Sequence, residues 1–102
     1  MPTYCVARIV IRYGKIVEFF DAMSRLVPIM EDQGWKLHAA YHTTIGNVHE
    51  ALDIWELPDA NAVGAGLAGA MGDERFHALA PDLAAAIETE TLSIMSKAPF
   101  SP

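Results

Sequence analysis

The sequence predicts an α+β domain, one four-stranded antiparallel sheet with helices on one face. Three observations carry this. Apolar residues follow strand-like patterns over 4–12, 35–44 and 48–57, and recur at helical spacing between Lys15 and Gly34. Turn formers at Tyr13-Gly14, Gly34, Ile45-Gly46-Asn47 and Pro58 separate those segments. A length of 102 residues, 52% of them hydrophobic, suits one two-layer core and leaves no room for a second domain, so 1–102 is read as a single unit.

Taken in order, the first strand, Tyr4 to Arg12, has one wholly apolar face (Cys5, Ala7, Ile9, Ile11) and one mixed face (Tyr4, Val6, Arg8, Val10, Arg12). The helix that follows repeats Ile16, Phe19, Phe20, Met23, Leu26, Val27 and Met30, contains Pro28, and stops at Gly34. Two strands then form a hairpin about Gly46-Asn47, and Pro58 ends the second. Asp59 or Asn61 can cap the next helix and Asp73 a further one carrying Phe76, Leu79, Leu83 and Ile87, with a break near Gly72. Residues 87–97 read as the last strand, and the proline-bearing tail APFSP as extended.

Composition narrows the function classes. A net charge of -6 disfavours nucleic acid as a partner. The single cysteine, Cys5, allows no internal disulfide and no cysteine-based zinc site. No run has the length and apolarity of a membrane span, and MPTYCVARIV lacks a positive region ahead of its apolar part, so a cytoplasmic location is expected.

Two motifs suggest chemistry that their context does not support. Gly64, Gly66 and Gly69 have the G-x-G-x-x-G spacing of dinucleotide sites. Here, however, Pro58 and Asp59 separate them from the preceding strand, and that strand belongs to an antiparallel hairpin rather than a parallel βαβ unit. The glycines instead suit a small-residue helix face that approaches a neighbour closely. His38 and His42 stand four apart, a metal-binding spacing on a helix. On a strand they lie roughly 13 Å apart, too far for one ion, so no metal or nucleotide cofactor is expected. His49 and His77 are expected to be solvated.

The apolar row of the first strand, with Leu52 and Ile54, is expected beneath the helices, and Tyr41 is placed there too by alternation. The other face then carries Val6, Arg8, Val10, His38, Ala40, His42, Ala51, Asp53 and Trp55, which is too apolar to face water alone. The simplest cover is a second copy packed sheet to sheet, enclosing a cavity. A two-residue turn at Gly46-Asn47 sets Ala40 opposite Asp53, His38 opposite Trp55 and His42 diagonal to Asp53. Asp53 beside a histidine can orient an imidazole for acid or base work, or the pair can simply satisfy its own hydrogen bonds. Arg8 is read as stabilising negative charge or pairing with Glu88 or Glu90, Trp55 as stacking on substrate, and Tyr4 as a hydroxyl donor.

The stretches YGKIVEFF, GWKLHAAYHTTIG, ALDIWEL and KAPFSP resemble the NIPSNAP family over nearly the whole chain. Gly14-Lys15, Lys36-Leu37, Thr43, Gly46, Trp55-Glu56 and 98–102 match its pattern, whereas Ala7, Ile9 and Asp53 stand where the family usually carries Arg, Tyr and His. The resemblance implies a ferredoxin-like βαββαβ protomer that dimerises through its sheet into an α/β barrel. The expected function is binding of a small apolar or aromatic carbonyl compound and acid–base chemistry on it of the isomerase, cyclase or lyase type. His42 or His38 is the acid or base, Asp53 orients it, and Arg8, Trp55, Val6, Val10, Ala40 and Tyr4 line the site. A carrier without catalysis is the alternative, followed by haem binding or monooxygenation.

Overall fold

The computed structural model describes residues 2–102. The elements are β1 (Thr3–Ile11), α1 (Ile16–Asp32), β2 (Lys36–His42), β3 (Glu50–Leu57), α2 (Asn61–Met71), α3 (Glu74–Ala86) and β4 (Ile87–Met95). Together they make a ferredoxin-like sheet in the order β2-β3-β1-β4, every pair antiparallel, with the helices on one face.

Helix ends follow local chemistry. α1 runs through Pro28, and Gly34 ends the segment with φ +89°, a conformation that only glycine adopts freely. Asp59 accepts from the Ala62 N–H at 3.1 Å near the start of α2, and Asp73 caps α3 by accepting from the Arg75 N–H at 2.8 Å. The break between α2 and α3 falls at Gly72, as the sequence suggests. The tail turns rather than extending, since the Ser101 N–H donates to the Ala98 carbonyl at 2.9 Å.

As expected, Cys5, Ala7, Ile9 and Ile11 are buried beneath the helices. β3 has the opposite parity to the expected one. Cys5 pairs with Trp55, Ala7 with Asp53 and Ile9 with Ala51, so Ala51, Asp53, Trp55 and Leu57 lie under the helices. Leu52 and Ile54 lie on the open face, half-buried. Both alternations of ALDIWEL contain bulky apolar groups, so periodicity does not choose between them. Packing does, because the Trp55 indole and Leu57 complete a core with Ile29, Met30 and Leu79.

β2 shows the same correction. The pairs Ala40–Asp53 and His42–Ala51 put Ala40 and His42 on the helix side, and Tyr41, opposite Leu52, is on the open side and 62% exposed. The hairpin connection spans 43–49, longer than a two-residue turn, yet it is centred on the same residues and keeps Ala40 opposite Asp53. An irregularity between Leu37 and Ala39 brings Leu37, not His38, opposite Trp55. The extra residue puts His38 against Tyr4 on the open face, ring centroids 5.8 Å apart.

Candidate active site

The sequence places a cavity of about 390 Å³ between the helices and the sheet, within the roughly 300–1,000 Å³ range of small-molecule sites. Its sheet wall is Ala7, Asp53, Trp55, Glu90 and Leu92, and α1 contributes Met23, Leu26 and Met30. Leu67, Ala70 and Met71 of α2, Phe76 and Leu83 of α3, and Trp35 between α1 and β2 close the other side. Apart from two carboxyls and two indole N–H groups, these side chains are hydrocarbon or thioether. Met71 and Leu92 are themselves partly in solvent, so part of the cavity wall is open to water.

The indoles are arranged by the glycines. Trp35 and Trp55 meet edge to face, centroids 5.7 Å apart. The Trp35 N–H donates to the Ala62 carbonyl in the first turn of α2 at 3.3 Å. That approach is possible because position 66 has no side chain. A Cβ on Gly66 would stand 2.0 Å from Trp35 Nε1, and one on Gly69 1.9 Å from Gln33 Oε1. The G-x-G-x-x-G run is thus a groove into which the corner between α1 and β2 fits, inside a helix and away from any strand-to-helix phosphate turn.

Asp53 is the polar centre of the cavity. It is only 4% exposed, and its Oδ2 has no hydrogen-bond partner among the described residues. Burial, with the charge of Glu90 as a second cause, pushes its carboxyl up to about 6. Glu90 lies on the helix side because an irregularity around Glu88 resets β4 before it pairs with Ile9. It is an exposed residue at the cavity wall, and partial desolvation raises its carboxyl as well. Among the described residues no Lys, Arg or His lines the cavity, so no cationic side chain in its wall neutralises either carboxylate.

Of the remaining residues singled out in the sequence, Ala40 stands opposite Asp53 and His42 diagonal to it on the same face, but neither lines the cavity. His42 is on the helix side but packs edge-on against Phe20, centroids 5.1 Å apart, with Nε2 2.5 Å from the Val48 carbonyl, and it does not line the cavity. Val6, Arg8, Val10 and Tyr4 belong to the open face, across the sheet from Asp53. The Tyr4 hydroxyl donates to Glu56 at 3.3 Å, and Arg8 forms no ion pair among the described residues. His38 and His42 point to opposite faces of β2. Half-buried His49 stacks on Tyr13 and accepts from the Gly14 N–H at 3.2 Å, and exposed His77 contacts the Met71 carbonyl. Of the expected set only Asp53 and Trp55 line the cavity, and Glu90 joins them.

Comparison with known proteins follows this geometry. The family model described as NIPSNAP matches residues 4–102. A NIPSNAP family protein of unknown function from Agrobacterium tumefaciens superposes with TM-score 0.89 at 22% identity, covering 99% of this chain and 92% of the other. An uncharacterised NIPSNAP domain protein from Burkholderia xenovorans gives 0.83 at 19% identity, with 98% of each chain covered. SnoaB, a cofactor-independent oxygenase from Streptomyces nogalater, gives 0.78 at 20% identity, covering 99% of this chain and 97% of that one. At such identities the likeness is one of fold. No curated protein matches the sequence.

Proposed function

The chain belongs to the NIPSNAP family, and we propose that it binds a small apolar or aromatic carbonyl compound in the cavity beneath its helices and moves a proton on it. Asp53 is the acid–base group in this reading. The supporting observation is its buried, unpartnered Oδ2 in a cavity walled, Glu90 apart, by largely apolar side chains. A carboxylate that gives up some stability to sit unpaired accepts a proton more readily than one in water, which suits a general base near neutrality. It would take the proton from an enolisable carbon or an enol hydroxyl, and the charge would pass to the ligand without changing the total inside the cavity. Trp55, beneath the helices with Asp53, offers the ring face for stacking. Arg8 is on the far side of the sheet and neither His38 nor His42 lines the cavity, so this reading gives them no role.

The test is hydrogen–deuterium exchange at the α-carbon of 2-tetralone in D₂O, followed by NMR. Wild-type protein should accelerate exchange, with a rate that rises through pH 6 and then levels, and Asp53→Asn should lower it by about 10²-fold or more. Acceleration that survives the substitution would remove Asp53 from the role. Binding without acceleration would favour a carrier. Oxygen consumption with a phenolic ligand would favour oxygenation, a second reading supported by the SnoaB likeness.

We also propose that a second copy covers the open face. The support is the half-buried apolar group of Val6, Val10, Leu52 and Ile54 beside exposed Tyr41.

A further inference from the structure

We infer that the cavity selects ligands by charge, accepting apolar molecules that end in an uncharged or cationic hydrogen-bond donor and rejecting those that end in a carboxylate or phosphate. The inference rests on the cavity being a ligand site and adds the class of ligand it takes. Asp53 and Glu90 lie on strands to either side of β1, two residues out of step, since Asp53 pairs with Ala7 and Glu90 pairs with Ile9. Their Cα atoms are therefore about 12 Å apart by sheet geometry. Both side chains face the helices and both line the same space. Asp53 is buried, and Glu90 is on the solvent-exposed part of the wall.

Among the described residues no cationic side chain lines the cavity, and Arg12, whose Nε donates to the carbonyl of cavity-lining Ala84 at 3.3 Å, is not itself among the lining residues. Arg25 is committed to Asp21 and Asp82, and Arg75 to Asp32 and Asp73, all on the outer surface. Arg8 is across the sheet, and the Trp35 N–H is already used by Ala62. Helix N-termini give no help either, because the groups that cap the region before α2 and the start of α3 are themselves carboxylates, Asp59 and Asp73. An anionic ligand would thus meet two carboxylates with no counter-charge in a space where water screens poorly. A hydroxyl or ammonium donor would instead give Asp53 Oδ2 the partner it lacks.

The test uses three probes with one ring system, 2-naphthol, 2-naphthylmethylammonium and 2-naphthoate. Binding at pH 7.5 is read by quenching of Trp35 and Trp55, both in the cavity wall, and checked by calorimetry. The naphthol and the ammonium should bind at least about tenfold more tightly than the naphthoate. The double variant Asp53→Asn, Glu90→Gln should narrow that ratio to about threefold or less, chiefly by admitting the naphthoate. Naphthoate binding as tightly as the others to wild-type protein would overturn the charge selectivity while leaving the cavity a ligand site. Failure of all three to bind at millimolar concentration would remove the ligand site itself, and the inference with it. An unchanged ratio in the double variant would also overturn the inference, because the selectivity would then come from something other than these carboxylates.

Discussion

Replacing Asp53 by Asn removes a charge that folding carries beneath the helices, and the effect on stability should depend on pH in a defined direction. The folded-state value of about 6 lies above the ordinary 3.8. A displacement of about two pH units corresponds to about 3 kcal/mol. Its sign is destabilising at neutral pH, where the group is ionised in both states and the folded state bears the full cost of desolvation. As the pH falls through 6 the folded protein takes up the proton first, and the cost is gone below about 4. Glu90 shifts in the same direction. Asp73, held low by side-chain and backbone hydrogen bonds from Arg75, shifts in the opposite direction and loses its contribution on acidification. Comparing the variant with wild type cancels both to first order. Urea unfolding followed by tryptophan fluorescence should therefore show Asp53→Asn more stable than wild type by about 1–3 kcal/mol at pH 7.5, with the gap closing by pH 4. A gap that is the same at both pH values, or a variant that is less stable at pH 7.5, would mean that the carboxylate is not strained by burial.

Other substitutions separate the roles assigned above. Gly66→Ala should lower the melting temperature, because the new methyl meets the Trp35 ring and overpacking of that kind costs about 1–3 kcal/mol. Gly64→Ala, where a Cβ meets nothing within 4 Å, should raise it, adding up to about 1 kcal/mol of stability; a matched loss at both positions would refute the groove. His42→Ala and Arg8→Ala should leave 2-naphthol affinity within about twofold of wild type, as neither residue lines the cavity. A tenfold loss in either would return the site to the original histidine reading. Val6→Glu on the open face should shift the mass measured by light scattering from two chains to one, and a wild-type protein of one-chain mass would sink the second-copy proposal.

Much of the fold is legible because local signals agree with it. The wholly apolar row of β1, the helical repeat of α1 ended by Gly34, and the Asp73 cap each specify one conformation, and the structure has them where the sequence puts them. The site was less legible, and the cause is narrow. β3 offers Leu52 and Ile54 to one face and Trp55 and Leu57 to the other, so alternation gives its spacing but not its parity. Placing Leu52 and Ile54 beneath the helices sends Asp53 and Trp55 to the open face together. The position of Asp53 directly opposite Ala40 was readable from the hairpin centre. The irregularities at His38 and Glu88, which turn one histidine away and bring Glu90 in, have no turn-forming signature in the sequence. A usable hint lay in the departures from the family pattern, since Ala7 and Asp53 are register partners and line the same cavity.

The parity of β3 also changes what kind of residue Asp53 is. On a wet sheet face an aspartate is an ordinary solvated charge, whereas beneath the helices it opposes folding at neutral pH. Substituting Asn, or the Ala and Leu that neighbour it in the cavity, would relieve that opposition with little change in packing volume for Asn. A residue that costs stability in a 102-residue chain, where the whole margin is roughly 5–15 kcal/mol, persists most readily when its charge has work to do. The same reasoning sets Asp53 apart from Asp73, whose ion pair and cap account for it fully on structural grounds. Of the two buried or half-buried aspartates, only the one facing the cavity is left without a structural reason, and that asymmetry is what supports the proposed reading of the cavity between the helices and the sheet over one on the open face.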